Sequence, residues 1–203
     1  MESPASPFTL AEPGSPELAD RPDDLAEAIR QVGGAVIEAE RGRARRRVID
    51  FAGTHPDALH RSCLQGHLTG SAFVIDAAGE RALLLHHAKL DRWLQPGGHA
   101  DGDGNLAGVA WREATEETGL AGLRLVLPAI DLDIHAIPAR PGEPEHLHLD
   151  LRFAAVAPEG ATVAHNHEAL GARWVDADDP AVTGSPDLVR AVSRALTVVR
   201  ALR

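Results

Sequence analysis

Sulfur, aromatic rings and long apolar runs are scarce in this sequence, and each scarcity excludes a class of protein. The single cysteine, Cys63, excludes an internal disulfide and favours a reducing compartment. No apolar run is long enough to span a membrane, and the N-terminus lacks the charged-then-apolar pattern of a secretion signal. Tyrosine is absent and the aromatic fraction is 3%, which limits base stacking as a means of selecting a nucleobase. These absences predict a cytoplasmic protein.

Positive charge is also in short supply. Twenty basic residues stand against thirty acidic ones, for a net charge of −10, and Lys89 is the only lysine. A field of this sign disfavours non-specific binding of nucleic acid. The excess of arginine over lysine, with abundant alanine and glycine, indicates a GC-rich bacterial genome. A protein this negative that acts on phosphates would need metal ions to screen the charge of both partners.

The first third of the chain predicts an addition to a single domain. A length of 203 residues with a hydrophobic fraction of 44% suits one domain with extra segments. Residues 1–14, rich in proline, serine and glutamate, predict a flexible N-terminus. Residues 15–65 predict a helical extension that starts at a Ser-Pro-Glu signal, with a break near Pro22. Within it we expect a second helix over 35–51 and a short one over 56–64.

From residue 66 the periodicity changes to that of a mixed fold. The runs 71–76 and 81–86 are rich in β-formers and predict a hairpin. Further strands are predicted at 124–127, 130–137, 146–153 and 173–175, and a closing helix follows Ser185. Strands with one helix between them and another at the end predict an α/β/α sandwich with a mixed β-sheet over residues 66–203.

The stretch Trp93–Leu120 carries the pattern that points to chemistry. It holds a Pro-Gly-Gly turn, an acidic glycine-rich loop and a predicted helix with Glu113, Glu116 and Glu117. The i, i+3, i+4 spacing places the three carboxylates on one helix face, where like charges repel. A divalent cation reverses that cost, because Mg²⁺ and Mn²⁺ prefer carboxylate oxygen. Gly119 is suited to end the helix.

This stretch resembles the Nudix box. In that pattern a glycine, five residues, a glutamate and seven residues precede Arg-Glu-apolar-x-Glu-Glu-x-Gly-apolar. Gly98 opens the pattern here, and Arg112–Leu120 completes it at the required offsets. One position departs, because the first glutamate of the box falls on Gly104. Asp101 and Asp103 lie just before it and are candidates to supply the missing charge. The Gly-Gly-His-x-Asp-Gly-Asp form of the loop resembles that of a bacterial Nudix group.

The resemblance implies a hydrolase that cleaves the diphosphate linkage of a nucleoside-diphosphate-type small molecule with Mg²⁺ or Mn²⁺. It implies metal ligation by Glu113, Glu116 and Glu117, joined by the main-chain carbonyl of Gly97. Arg112 is expected to pair with a box glutamate and orient it, as residues behind metal ligands do. A homodimer is a further expectation, since dimers are frequent in the family.

The general base is expected either within the box or on a later loop. Glu168 is the first candidate outside the box, and Glu143 and Glu145 come behind it. The alternative for each of them is an exposed acidic residue of a loop with no catalytic role.

Histidines form a second group of candidates. His99 follows the Gly-Gly turn and is expected to border the site, either donating to a phosphate oxygen or packing in the loop. His146, His148 and Asp150 share one face of a predicted strand and are potential transition-metal ligands. Same-face neighbours on a strand diverge by roughly 6.6 Å, so one ion would need help from other strands. We therefore favour His99, His146 and His148 as residues that contact substrate.

Two other functions compete with the Mg²⁺- or Mn²⁺-dependent hydrolase. The first is a transition-metal hydrolase built on His146 and His148, whose activity would survive a Glu117→Gln change. The second is a non-catalytic nucleotide- or diphosphate-binding regulatory module with a degenerate box, motivated by Gly104. The intact Arg-Glu-x-x-Glu-Glu segment argues against the second.

Overall fold

Eight strands form one mixed β-sheet in the computed structural model, which describes residues 6–140 and 142–203. The strands are β1 Thr9–Ala11, β2 Gly66–Ile75, β3 Ala82–His87, β4 Arg92–Leu94, β5 Gly97–His99, β6 Arg124–Ile137, β7 His146–Val156 and β8 Ala169–Val175. Their order is β1-β6-β7-β2-β3-β4, with β5 paired to β2 and β8 paired to β3. Strands β2 and β7 are parallel and the other pairs are antiparallel.

Helices cover both faces of the sheet. They are α1 Leu25–Gly34, α2 Gly42–Thr54, α3 Leu106–Thr118, α4 Pro180–Thr183 and α5 Pro186–Ala201. Buried residues of α1, α2 and α3 form one hydrophobic cluster with the sheet, and those of α5 form a second cluster. The α/β/α sandwich predicted from the sequence is therefore confirmed. None of the described helices is both long and apolar enough to cross a membrane.

Helix α3 is fixed at both ends by its own sequence. The Asn105 side chain accepts a hydrogen bond from the Gly108 N–H, which caps the N-terminus. Gly119 ends the helix in the left-handed region, at φ 67°, as predicted. The helix packs tightly on β2, since a Cβ at Gly70 would lie 2.6 Å from the Leu106 carbonyl oxygen. Local capping and this close contact hold the box helix against the centre of the sheet.

The N-terminal segment differs from the flexible stretch predicted for residues 1–14. Residues 1–5 lie outside the described part, but Thr9–Ala11 form β1 and pair with β6 at the sheet edge. A strand of three residues is too short to show the alternation of apolar and polar residues that identifies a strand in a sequence. The predicted break near Pro22 is confirmed, because a 3₁₀ turn at Pro16–Leu18 precedes it and α1 begins at Leu25.

Two other helical predictions in the extension need correction. Helix α2 begins at Gly42, later than predicted, because residues 39–41 form a 3₁₀ turn. Residues 56–64 form turns and no helix. The reason is tertiary: the Ala58 carbonyl accepts from Leu68 N at 2.8 Å, and the Leu59 carbonyl accepts from Gly102 N at 2.9 Å. These backbone groups bond to β2 and to the loop before α3 in place of their own helix.

The extension docks directly on the loop of the box. Arg21 C=O accepts from Gly104 N at 2.9 Å, and Asp23 N donates to Gly102 C=O at 2.6 Å. A Cβ at Gly104 would lie 2.0 Å from the Asp24 carbonyl oxygen, far inside van der Waals contact. The glutamate expected at this position of the box is therefore excluded by the backbone of the extension.

The strands follow the predictions with some merging. The hairpin is confirmed, with Val74 opposite Leu83. The two strands predicted at 124–127 and 130–137 are one strand, β6, with a register shift between Val126 and Asp131. Strand β8 begins at Ala169, four residues earlier than predicted. The closing helix is confirmed, since the Ser185 side chain accepts from Leu188 N at its start.

Candidate active site

One cleft of about 530 Å³ contains most of the residues singled out from the sequence. Its lining comes from strands β2 to β5, helix α3, the end of β6, the start of β7, and the loops that precede β2, β4, β7 and β8. The predicted site residues that line it are Gly97, His99, Glu113, Glu116, Glu117, Glu143, His148, Asp150 and Glu168. Residues from segments far apart in the sequence thus converge on one cleft.

The three box glutamates enter this cleft from one face of α3. Glu117 is 9% exposed, Glu113 is half-buried and Glu116 is exposed. Burial and the neighbouring carboxylates of Glu113, Glu168 and Glu116 raise the pKa of Glu117 to about 8, although a hydrogen bond from Gly97 N opposes the shift. Burial first, and Glu116 next, also raise the pKa of Glu113. The helix therefore concentrates negative charge where water cannot fully solvate it.

The Gly-Gly turn lies against these carboxylates. Gly97 N donates to Glu117 Oε2 at 3.2 Å. A Cβ at Gly98 would lie 2.5 Å from the Glu113 carboxyl carbon, and one at Gly97 would lie 2.4 Å from the Ser71 Cβ. Only glycine allows the backbone this close to both the helix and the sheet.

Arg112 differs from its predicted role. It was expected to pair with a box glutamate, but its guanidinium contacts Asp20 Oδ1 and Asp103 Oδ2, each at 3.3 Å. The loop aspartates are likewise bound to other groups. Asp103 accepts from Arg21 N at 2.9 Å, and Asp101 forms a two-bond pair with Arg61. Arg112 and Asp103 hold the extension onto the box loop, and neither aspartate replaces the missing glutamate at the carboxylate cluster.

The candidate bases separate by position. Glu168 lines the cleft, and its charge is close enough to raise the pKa of both Glu113 and Glu117. The loop that bears it is tied to α3, since Asn166 N donates to the Glu117 carbonyl at 3.2 Å. Glu143 also lines the cleft, whereas Glu145 is exposed outside it.

The histidines divide in the same way. His99 and His148 line the cleft, with their Nε2 atoms 3.2 Å apart. Burial, followed by the charge of Arg61, lowers the pKa of His99 to about 4. Burial, followed by the neighbouring histidines, lowers the pKa of His148 to about 2. His146 is 5% exposed and lies behind them, stacked on His67, so its side chain is not placed to contact substrate as predicted. Sequence analysis gave His67 no role, because only the pairing of β2 with β7 reveals its position.

A buried polar network underlies the cleft floor. Asp150, also a candidate from its strand face, accepts from Thr69 Oγ1 at 2.9 Å and from Ser71 Oγ at 2.7 Å. Arg152 Nε donates to Asp150 at 3.1 Å, and Arg152 also contacts aspartates of β6 and α5. Asp150 is thus committed to hydrogen bonds that fix the floor.

Basic side chains also line the cleft. Arg61, Lys89 and Arg140 are the cationic residues of its lining, besides the histidines. Sequence analysis did not single them out, since they come from three separated loops whose meeting depends on the fold. Arg61 is paired with Asp101. They add positive charge to the cleft that holds the glutamates, which suits an anionic ligand that is bound together with a cation.

A mixed sandwich whose central helix presents three carboxylates to a cleft is the architecture of a Nudix-type hydrolase. Residues 67–195 match the family model for the NUDIX domain, which is more than half of the chain. The chain therefore belongs to the Nudix family, and it is a Nudix pyrophosphohydrolase. A search of the curated proteins finds no match.

Several solved structures are similar in fold. The E. coli dihydroneopterin triphosphate pyrophosphohydrolase is 19% identical, with 64% of this chain and 94% of that chain covered and a TM-score of 0.50. A NUDIX-family hydrolase from Clostridium perfringens is 22% identical, with 68% and 98% covered and a TM-score of 0.46. At these identities the likeness concerns the fold alone.

Proposed function

We propose that this protein hydrolyses the diphosphate linkage of a nucleoside-diphosphate-X compound in a reaction that depends on Mg²⁺ or Mn²⁺. The carrying observation is the convergence of Glu113, Glu116, Glu117 and Glu168 on one cleft that also holds cationic side chains. A diphosphate brings negative charge to this cleft, so a cation must lie between it and the carboxylates.

The donor set fits a hard divalent cation. The carboxylates of Glu113, Glu116 and Glu117 and the main-chain carbonyl of Gly97 would supply oxygen ligands, which Mg²⁺ and Mn²⁺ prefer. The crowding that raises the pKa of Glu117 supports this assignment, because a bound cation would relieve it. Such an ion neutralises charge on phosphoryl oxygens and lowers the pKa of an attacking water.

The chain's own residues then complete the site. Glu168 lines the cleft beside the box glutamates, which supports it as the base that accepts the proton of the attacking water. Glu143 lines the same cleft and is the second choice. Lys89 and Arg140 line the cleft, which supports them as residues that bind phosphate oxygens of the substrate. The position of His99 in the same lining supports it as a donor to one of these oxygens.

The lining also bears on the substrate. Among the described residues, no phenylalanine or tryptophan lines the cleft, whereas Leu85, Leu90, Leu94 and Ile137 do. Selection of a nucleobase by stacking on a large aromatic side chain is therefore not supported. We propose that recognition rests mainly on the diphosphate and on an apolar wall.

The extension belongs with this function. We propose that residues 66–203 form the hydrolase domain and that residues 15–65 serve as a helical extension that supports the box loop. The docking of Arg21 and Asp23 on that loop supports this division. It also removes the motive for a non-catalytic module, because Gly104 is required by packing and is no sign of decay. A cytoplasmic location is supported by the single, buried Cys63, and a homodimer rests on the family alone.

Turnover of a substrate panel tests the proposal. Nucleotide or phosphate release is measured from nucleotide sugars, dinucleoside polyphosphates and nucleoside triphosphates with Mg²⁺ or Mn²⁺. The variants are Glu117→Gln and Glu168→Gln, and Glu145→Gln is the matched control because that carboxylate lies outside the cleft. Mn²⁺ binding, followed by its paramagnetic resonance, gives a readout that is independent of turnover.

Four outcomes support the proposal when they occur together. Turnover requires the metal, Glu117→Gln loses both turnover and tight Mn²⁺ binding, Glu168→Gln loses turnover but binds Mn²⁺, and Glu145→Gln behaves as wild type. Full activity of Glu117→Gln would contradict the carboxylate site. Metal binding by the folded wild type without turnover of any panel member would favour the non-catalytic module.

A further inference from the structure

A group of four histidines lies beside the carboxylate cluster, where the central strands β2 and β7 begin and β5 pairs with β2. The parallel register sets His67 of β2 opposite His148 of β7. His146 lies two residues before His148 and shares its face, and His99 of β5 pairs opposite Thr69. The imidazole centroids of His67 lie 4.9 Å from His99, 4.9 Å from His146 and 5.0 Å from His148.

Because same-face histidines of one strand diverge, a metal site on β7 needs ligands from other strands, and this arrangement provides them. Neighbouring strands supply the further ligands that β7 lacks, because strands lie only about 4.8 Å apart. One ring nitrogen from each of His67, His146 and His148 can be chosen so that all three lie within 4.8 Å of one another. His99 Nε2 lies 3.2 Å from His148 Nε2, close to the roughly 3.3 Å edge of a tetrahedron of nitrogens around zinc.

The hydrogen bond of His146 leaves its Nε2 atom available as a metal ligand. Its Nδ1 lies 2.9 Å from the Pro144 carbonyl oxygen, which can only accept, so Nδ1 carries the hydrogen. The Nε2 atom then bears a lone pair, and it is buried without a hydrogen-bond partner among the described residues. Glu143 Oε1 lies 3.7 Å from it, beyond hydrogen-bonding distance. A backbone carbonyl that fixes the tautomer in this way is the usual support behind a metal-bound imidazole.

His67 is also buried with ring nitrogens that lack partners among the described residues. It is 2% exposed, and in the described structure neither of its ring nitrogens has a hydrogen-bond partner. Buried polar atoms are normally paired, and an unpaired one is destabilising. A hydrogen bond between His99 and His148 is the alternative explanation for the short distance between their Nε2 atoms. It would still leave both ring nitrogens of His67 and the Nε2 atom of His146 without partners within the described part of the chain.

We propose that His67, His146 and His148, with His99 as a fourth ligand, bind one transition-metal ion of the zinc class. Four neutral imidazoles suit Zn²⁺, Co²⁺ or Ni²⁺, whereas Mg²⁺ prefers oxygen. The ion would be distinct from the one held by the box glutamates. By joining β5 to β2 and β7 it would position the Gly97–His99 strand, whose first N–H contacts Glu117.

Cobalt binding in the presence of excess Mg²⁺ tests this site, because Mg²⁺ occupies oxygen ligands and leaves the imidazoles free. The full chain is titrated with Co²⁺, and the visible bands of a nitrogen-ligated ion are recorded. Zn²⁺ content after dialysis and the Zn²⁺-dependent rise in melting temperature are the second and third readouts. The variants are His67→Gln and His148→Gln, with His165→Gln as the control, since His165 lies on an exposed loop.

We expect one Co²⁺ or Zn²⁺ per chain in the wild type, in His165→Gln and in Glu117→Gln, and loss of that ion in both cluster variants. The Glu117→Gln result separates this proposal from the proposed hydrolase, because that variant should lose turnover while it keeps the nitrogen-ligated spectrum. An oxygen-only spectrum in the wild type would overturn the proposal even if a cluster variant failed to fold. Loss of the ion in Glu117→Gln, or its retention in folded His67→Gln, would also overturn it.

Discussion

A single added methyl group at Gly104 should separate the extension from the box loop. In Gly104→Ala the new Cβ would lie 2.0 Å from the Asp24 carbonyl oxygen and 2.6 Å from its carbonyl carbon. These are backbone atoms, so no side-chain rotation can relieve the overlap. Gly104 does not have a positive φ, and the cost is therefore one of space and not of backbone strain.

The magnitude follows from what must move. Overpacking of a close contact costs about 1–3 kcal/mol. Displacing residues 21–24 also weakens the bonds from Gly104 N to Arg21 and from Asp23 N to Gly102, each worth about 0.5–1.5 kcal/mol. We expect a loss of about 2–4 kcal/mol in the free energy of unfolding. For a chain of this length that lowers the melting temperature by roughly 4–16 °C.

Urea and thermal unfolding measure the effect, with Gly53→Ala as the matched control. Gly53 lies exposed in α2, and a Cβ there meets nothing within 4 Å. Alanine at a helical glycine is neutral or stabilising by up to about 1 kcal/mol. If Gly104→Ala unfolded at the same temperature as wild type, the extension would not be docked on the loop as described, and the packing explanation for the missing box glutamate would fail.

Three further changes probe other parts of the molecule. Arg152→Met should lower the free energy of unfolding, measured in urea, by about 3–5 kcal/mol, because it leaves several buried carboxylates without their partner. The control Arg173→Met breaks an exposed ion pair and should lower it by less than about 1 kcal/mol. Equal losses in the two variants would refute the buried network. Burial raises the pKa of Asp76, but hydrogen bonds from Glu80 N and from Arg81 outweigh it and lower that pKa. The ionised Asp76 carboxylate therefore stabilises the fold at pH values above its unfolded-state pKa of about 3.9. That stabilisation is lost as the pH falls through the lower pKa of the folded state. Unfolding curves should therefore show that Asp76→Asn is less stable than wild type at pH 7, and that the difference in free energy of unfolding narrows below about pH 4. A difference that stayed constant with pH would contradict the lowered pKa of Asp76. In Gly98→Ala the new Cβ would lie 2.5 Å from the carboxyl carbon of Glu113 and should displace that carboxylate. We expect the variant to lose turnover with little change in melting temperature. Retained turnover would show that the close contact between Gly98 and Glu113 is not needed.

The elements that sequence analysis predicted well are those fixed by nearby residues. The box helix ends at Gly119 and the closing helix starts at Ser185, as predicted, because a cap acts within one turn. The hairpin of β2 and β3 depends on a short turn between two β-rich runs. The carboxylates of α3 share a face by helical spacing alone, and the structure places all three in one cleft.

The elements that escaped prediction depend on distant partners. The turns at 56–64 replace a helix because two of their carbonyls bond to Leu68 and Gly102. Arg112 contacts Asp20 of the extension and Asp103 in place of a box glutamate, which no local spacing encodes. His67 joins His148 only through the parallel pairing of β2 with β7, since the register of two strands so far apart is set by the whole sheet.

Lys89 offers a practical handle on the cleft. It is the only side-chain amine in the chain, and it lies exposed in the lining that also holds the glutamates. An amine-directed acylating reagent would therefore modify one side chain per molecule, at the cleft itself. Ligands that fill the cleft should slow that modification, so the mass of the labelled protein would report occupancy without any knowledge of the reaction products. The rarity of one residue type thus provides a footprinting assay for screening substrates.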